Sequence, residues 1–199
     1  RRFLSPYPES KALAEALVLD ANSPQLATVA LRPHLIFGPR DPHLVPRLLE
    51  SAAQGRLARV GNGRNRVSLT HVDNAAFAHV CALRALGPEA PCAGQAYFVC
   101  NKEAVVLWDW IKGLLEQLKH APVTRSLPLS LARAVGALCE ASWTLLPLKG
   151  EPPMTRFVAL QLARSHTYDL GPLERDLGYR ERLDMATATA QMVADLQRH

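Results

Sequence analysis

The sequence predicts an α/β fold: the second half of a doubly wound parallel sheet, followed by a smaller, mostly helical substrate lobe. Three observations carry this expectation. Up to about residue 121, helix-like and strand-like stretches alternate. The strand-like runs "QLATVALRP" and "GQAYFVCN" are short and nearly free of charge, as strands covered on both faces are. Beyond that point the order becomes less regular and more helical, which divides the chain into 1–121 and 122–199. At 199 residues and 48% hydrophobic, the chain can bury a real core.

Each element has its own signal. "SPYPESKALAEALVLDAN", residues 5–22, predicts an amphipathic helix; Pro8 biases Tyr7 away from helical geometry and places it at the cap. In "QLATVALRP", Leu26, Val29 and Leu31 between Pro24 and Pro33 predict a buried strand, and "HLIFGPRDP" a loop at its C-terminal end. "LVPRLLESAAQG" predicts a helix closed by Gly55. Turn chemistry at Gly61-Asn62-Gly63 separates two short strand-like pieces. "HVDNAAFAHVCALRALG" predicts a helix with Asp73 or Asn74 near its N-cap and Gly87 at its end. "VLWDWIKGLLEQLK" sets Leu107, Ile111, Leu114, Leu115 and Leu118 on one stripe. "HTYDLGPLERDLGY" predicts a short strand before a helix, and "MATATAQMVADLQRH" an amphipathic helix.

Composition narrows the function classes. Net charge is +5, but the basic residues are spread along the chain with no run interleaved with aromatics. Nucleic-acid binding is therefore disfavoured, and an exposed basic face suited to anionic substrates or cofactors is the better use. Cys81, Cys92, Cys100 and Cys139 form no C-x-x-C, and no histidine pair has helical metal-site spacing. A reduced, cytoplasmic chain without a metal is expected. The apolar stretch 127–148 is interrupted by Arg133 and Glu140, so a membrane span is not expected. A helix buried in a lipid-binding lobe and a helix resting on a membrane surface both remain open, as does a homodimer. The chain starts at Arg1 with no signal-peptide pattern, and so resembles the later part of something longer.

Tyr7 and Lys11 carry the most specific chemistry. On a helix, residues four apart point the same way, so a phenol and an ammonium share one site. A tyrosine exchanging protons near neutral pH must lower a pKa of about 10, and an adjacent cation stabilises the phenolate. The same ammonium can donate to the ribose hydroxyls of a dinucleotide. The bland alternative keeps Tyr7 at a helix start and Lys11 in solvent.

"YPESKALAE" resembles the active-site helix of the extended short-chain dehydrogenases, most closely the 3β-hydroxysteroid dehydrogenase type. The block from "LRPHLIFGPRDP" to "HVDNAAFAHVCAL" is similar to the sterol-4α-carboxylate 3-dehydrogenases of that group. It is also similar to the bacterial 2-alkyl-3-oxoalkanoate reductases of olefin synthesis, as is "VTRSLPLSLARAVGALCE". The resemblance implies a Rossmann-like domain, NAD or NADP as cofactor, and a bulky lipid-like substrate. It implies that Tyr7 exchanges the proton with the substrate oxygen while Lys11 lowers its pKa and holds the nicotinamide ribose. Pro33, His34 and Ile36 would border the nicotinamide, with Arg32 structural, His34 a pocket wall and Asp73 a helix cap.

The chain departs from that pattern in lacking the Gly-rich pyrophosphate loop and the serine or threonine upstream of the tyrosine. Half of a cofactor site is expected here. A 3-hydroxyl/3-keto oxidoreductase acting on a sterol-like lipid is the first expectation, with a 2-alkyl-3-oxoalkanoate reductase the alternative. A non-catalytic lipid- or partner-binding piece and a nucleotide-sugar epimerase remain in play.

Overall fold

In the computed structural model, which describes residues 6–146, 148, 150 and 152–198, the chain opens with helix α1 (Pro6–Asp20) and returns along strand β1 (Val29–Pro33). Next come β2 (Ile36–Phe37), α2 (Leu44–Ala53), β3 (Ala58–Val60), β4 (Arg66–Val67) and β5 (Thr70–His71). Helix α3 (Val72–Ala85), β6 (Gln95–Val99), β7 (Val105–Val106), α4 (Leu107–Gln117) and β8 (Arg125–Leu127) follow. The remainder is helical: α5 (Leu129–Leu145), α6 (Arg156–Ala163), α7 (Gly171–Leu177) and α8 (Met185–Leu196). Ser5, Pro147 and His199, which fall within stretches expected to be regular, lie outside the described residues.

The two charge-poor runs pair as the α/β reading requires. β1 and β6 lie parallel, in register from Val29↔Gln95 to Pro33↔Val99, with α3 packed against β1 on the route between them. Parallel strands need such a crossover, because no tight turn can return the chain to the same end. β2–β5 and β3–β8 are also parallel, and β4–β7 is antiparallel. One apolar core gathers Phe37, Leu69, Ile111, Leu114 and Met192; a second gathers Ala78, Tyr97, Val99, Leu173 and Tyr179. Each core thus draws residues from both sides of residue 121.

Local chemistry explains the helix starts. Asp41 accepts hydrogen bonds from the backbone N–H groups of His43, Leu44 and Val45 at 2.8, 3.0 and 2.9 Å, occupying the free donors at the head of α2. Thr155 and Asp184 cap α6 and α8 through Val158 N and Thr187 N. On α4, Leu107, Ile111, Leu114 and Leu115 are buried, the stripe that the spacing predicts. α5 crosses α6 at Gly136, where an added Cβ would lie 2.6 Å from backbone atoms of Thr155 and Arg156.

Five expectations need correction. α1 is not sorted into an apolar and a polar face: Leu13, Leu17 and Val18 are all exposed. Tyr7 lies inside its first turn, where Ser10 Oγ donates to the Tyr7 carbonyl, rather than at the cap. The pieces around Gly61 and Gly63 are strands, but they diverge; β3 pairs with β8 and β4 with β7. The N-cap of α3 is His71, whose Nδ1 accepts from Asp73 N at 3.3 Å, so neither Asp73 nor Asn74 caps it. α5 is not the buried helix that its composition allowed, since Leu131, Val135, Leu138 and Leu145 are exposed and Ala132 and Gly136 alone are buried on it. Small residues let α6 approach, and the large ones are left outward. Among the described residues, no helix is long and apolar enough to cross a membrane.

Candidate active site

Two contacts fix how α1 lies on the sheet. At its C-terminal end Asn22 Oδ1 accepts from Thr28 N at 2.9 Å, beside the start of β1. In mid-helix, both Glu15 carboxylate oxygens meet the Arg32 guanidinium at 2.5 Å, near the end of β1. The helix therefore runs antiparallel to the strand. Eight residues at a rise of 1.5 Å carry Tyr7 about 12 Å beyond Glu15, past the C-terminal end of β1. Ligands of open α/β sheets bind outside this end of the strands. The bidentate bond from Arg32 is the main cause that holds the Glu15 carboxyl below its usual range, and the same bond raises the guanidinium.

Tyr7 and Lys11 are brought together as the i, i+4 spacing predicts. Lys11 Nζ lies 5.8 Å from the centroid of the Tyr7 ring, and Tyr7 is 67% exposed. The pair stands open to solvent, and the structure gives the phenol no hydrogen-bond partner among the described residues. Pro33 closes the β1–β6 register, and His34 continues the same end of the sheet. The His34 backbone is tied down firmly: its N–H donates to Val99 O and to Thr70 Oγ1, both at 3.1 Å, and its carbonyl accepts from Thr70 Oγ1 at 2.6 Å. Leu35 adopts a positive φ of 45° in the bend that follows, and Ile36 turns outward, exposed. Ile36 thus belongs to the rim of this end rather than to a closed wall.

The His34 ring is held by residues that sequence spacing gave no reason to select. Its Nε2 is 2.8 Å from His166 Nδ1, and its ring lies edge-on to Tyr168, centroids 4.9 Å apart. Tyr168 stacks on Phe98 at 4.0 Å, and Phe98 carries the Arg32 guanidinium at 5.2 Å. A continuous line of contacts thus runs from α1 through the sheet to the segment before α7. Burial, with His166 adding to it, pushes the His34 pKa down to about 4. The only sequence signal was the cluster His166-Thr167-Tyr168 itself, whose partners are set by tertiary packing.

This depressed histidine makes stability depend on pH. The unfolded His34 takes up its proton near 6.5 and the folded one near 4, so between these values the unfolded chain binds more protons. His71, fully enclosed, is shifted downward by burial in the same sense. Stability should be complete above about pH 6.5 and decline as the pH falls toward 4, with His34 contributing on the order of 3 kcal/mol at the limit. Thermal melts from pH 7.5 to 4.5 check this; a midpoint that stays level or rises toward pH 5 would contradict it.

Two concavities lie elsewhere in the molecule. One of about 390 Å³ opens between α4 and α8 beside Trp110 and Thr189, and one of about 260 Å³ beside Leu57 and Val123. Neither touches Tyr7, Lys11, Pro33, His34 or Ile36. The candidate site is marked by its strand-end position and by the Tyr7–Lys11 pair. No group of three or more His, Cys, Asp and Glu side chains among the described residues is arranged to hold a metal ion.

The chain is 50% identical over 177 residues to the 2-alkyl-3-oxoalkanoate reductase of Stenotrophomonas maltophilia, covering 89% of this chain and 54% of that protein. It is 33% identical to the decarboxylating sterol-4-alpha-carboxylate 3-dehydrogenase of Mus musculus, covering 94% of this chain and 53% of that protein. The chain therefore spans about half the length of the curated relatives it matches. The fold is similar to that of the dTDP-glucose 4,6-dehydratase DesIV of Streptomyces venezuelae, solved with NAD bound. The TM-score is 0.66 at 20% identity, covering 100% of this chain and 52% of that one. The family model that matches residues 1–129 takes in well over half of the sequence, and the chain belongs to the 3-beta hydroxysteroid dehydrogenase/isomerase family.

Proposed function

We propose that the chain is the nicotinamide- and substrate-side part of an NAD(P)-dependent oxidoreductase that interconverts a hydroxyl and a keto group on a long-chain lipid. The observation that carries the reading is the placement of Tyr7 and Lys11 on one helix, beyond the C-terminal end of β1 and at the same end as Pro33 and His34. The donor set suits the ribose–nicotinamide end of a dinucleotide: an exposed ammonium, a phenol one turn away, and a backbone bend fixed by Thr70. The nicotinamide, when bound, supplies or takes up the hydride. Tyr7 Oη passes a proton to the substrate oxygen as a ketone is reduced and recovers it in the reverse direction. Lys11 stabilises the phenolate left behind and holds the ribose hydroxyls. Pro33, His34 and Ile36 border the ring.

The relatives direct the substrate choice. Half of the aligned residues match a 2-alkyl-3-oxoalkanoate reductase, against a third for the sterol dehydrogenase. A 3-oxo acid with alkyl chains is therefore the first substrate class to try, ahead of the 4-carboxylated sterol. Residues 122–199, including α5 with its outward leucines, form the substrate-side lobe in this reading.

Lys11→Met tests the arrangement in the full-length protein. It keeps the helix and removes the charge, so cofactor binding should weaken about tenfold or more and the rate profile should move to higher pH. If both stay where they were, Lys11 is a solvated surface residue and the assignment fails.

A further inference from the structure

His34 and His166 form a hydrogen-bonded pair whose protons can be placed by elimination. His166 Nε2 lies 3.1 Å from the Gln161 carbonyl, and a carbonyl only accepts, so this nitrogen carries a hydrogen. If each ring carries one hydrogen, His166 Nδ1 is then a bare lone pair, and at 2.8 Å it must accept from His34 Nε2–H. The remaining nitrogen, His34 Nδ1, is left unprotonated. It makes no hydrogen bond among the described residues and is not among the polar atoms sealed from solvent. His166 is itself fixed from its backbone, its N–H donating to Arg66 O at 2.9 Å and its carbonyl accepting from Ser68 N at 3.0 Å. Burial keeps the His34 ring from charging near neutral pH.

We infer that His166 is a positioning residue: it locks His34, just beyond the end of β1, in one tautomer, so that Nδ1 is left as a neutral acceptor for an uncharged N–H or O–H donor. Which nitrogen a histidine presents is set by the bond its other nitrogen makes. Two ligand groups carry such a donor at the proposed site, the carboxamide of the nicotinamide and the hydroxyl of the substrate alcohol. The inference rests on the oxidoreductase reading for the identity of these ligands, though not for the tautomer itself.

The test is nuclear magnetic resonance of the ¹⁵N-histidine-labelled, full-length protein at pH 7. His34 should show a protonated Nε2 and a bare Nδ1. His166→Leu fills the space without an acceptor and should leave His34 as a mixture of tautomers, with affinity for its donor-bearing ligand reduced about tenfold. His166→Asn puts an amide oxygen where Nδ1 stood and should restore both, an outcome that a packing role would not produce. NADH alone and a long-chain 2-alkyl-3-hydroxy acid alone are the two probes. A shift of His34 Nδ1 with NADH assigns the donor to the carboxamide, and one with the hydroxy acid assigns it to the alcohol; each supports the inference. A protonated Nδ1 in the parent, a tautomer indifferent to His166→Leu, or no shift with either probe overturns it. Unchanged turnover in Tyr7→Phe would instead sink the oxidoreductase reading and leave the tautomer result standing.

Discussion

Replacing Tyr7 by phenylalanine in the full-length protein should lower turnover roughly 10²-fold or more, about 2.7 kcal/mol of transition-state stabilisation. Cofactor affinity and melting temperature should stay close to the parent. The separation follows from where the residue sits. Tyr7 is largely exposed on α1, and its ring meets the Lys11 ammonium at 5.8 Å without entering either apolar core. Phenylalanine keeps that ring and loses only the hydroxyl, so nothing structural is removed. What disappears is the group that can pass a proton to the substrate oxygen. Steady-state kinetics beside calorimetric cofactor titration reads both quantities. Turnover within a few-fold of the parent would return Tyr7 to the role of a helix-start residue, and a large loss of stability would show that its contacts extend beyond those seen here.

Much of this arrangement was legible in the sequence, for definable reasons. The strands Val29–Pro33 and Gln95–Val99 stood out as short apolar runs with little charge, although every residue of the first is only half-buried rather than enclosed as expected. α4 stood out because its leucines recur with helical period. Tyr7 and Lys11 were visible because the i, i+4 relation is a property of one helix. His166, Tyr168 and Thr70 were not, since their roles depend on segments distant in sequence that meet only after folding. The exposure of Leu13, Leu17 and Val18 was equally hidden: apolar composition suggested an amphipathic face, yet α1 is tied to the sheet chiefly through Glu15, Arg32 and Asn22. The cap of α3 was misplaced by propensity. Asp73 and Asn74 are favoured N-cap types, but Asn74 is drawn into the interior by a demand that no local rule contains.

That demand makes Asn74 the residue whose loss should cost the most stability. Its side chain is fully buried and uses all of its hydrogen-bonding capacity. Oδ1 accepts from Arg182 N and Leu183 N, both at 3.1 Å, while Nδ2 donates to Leu183 O at 2.7 Å and to Asn101 Oδ1 at 3.1 Å. Asn101 completes the clamp, donating to Leu183 O at 2.8 Å and accepting from His71 N at 2.8 Å. The loop before α8 is thereby fastened to the head of α3, and α8 in turn supports the loop after β2, where Asp195 Oδ2 accepts from Arg40 N. Asn74→Ala breaks four bonds at once and leaves two backbone donors and an asparagine oxygen short of partners. At about 1 kcal/mol for each bond and more for each stranded group, the loss should reach roughly 3–5 kcal/mol. Such a loss is a large share of the stability of an ordinary domain. Chemical denaturation of the full-length protein measures it directly. Because α8 anchors the loop bearing Gly38 and Arg40, hydrogen exchange should also quicken there and in residues 181–196. A cost below 1 kcal/mol, with exchange unchanged in both segments, would mean that water replaces the clamp and that α8 is held by its apolar contacts alone.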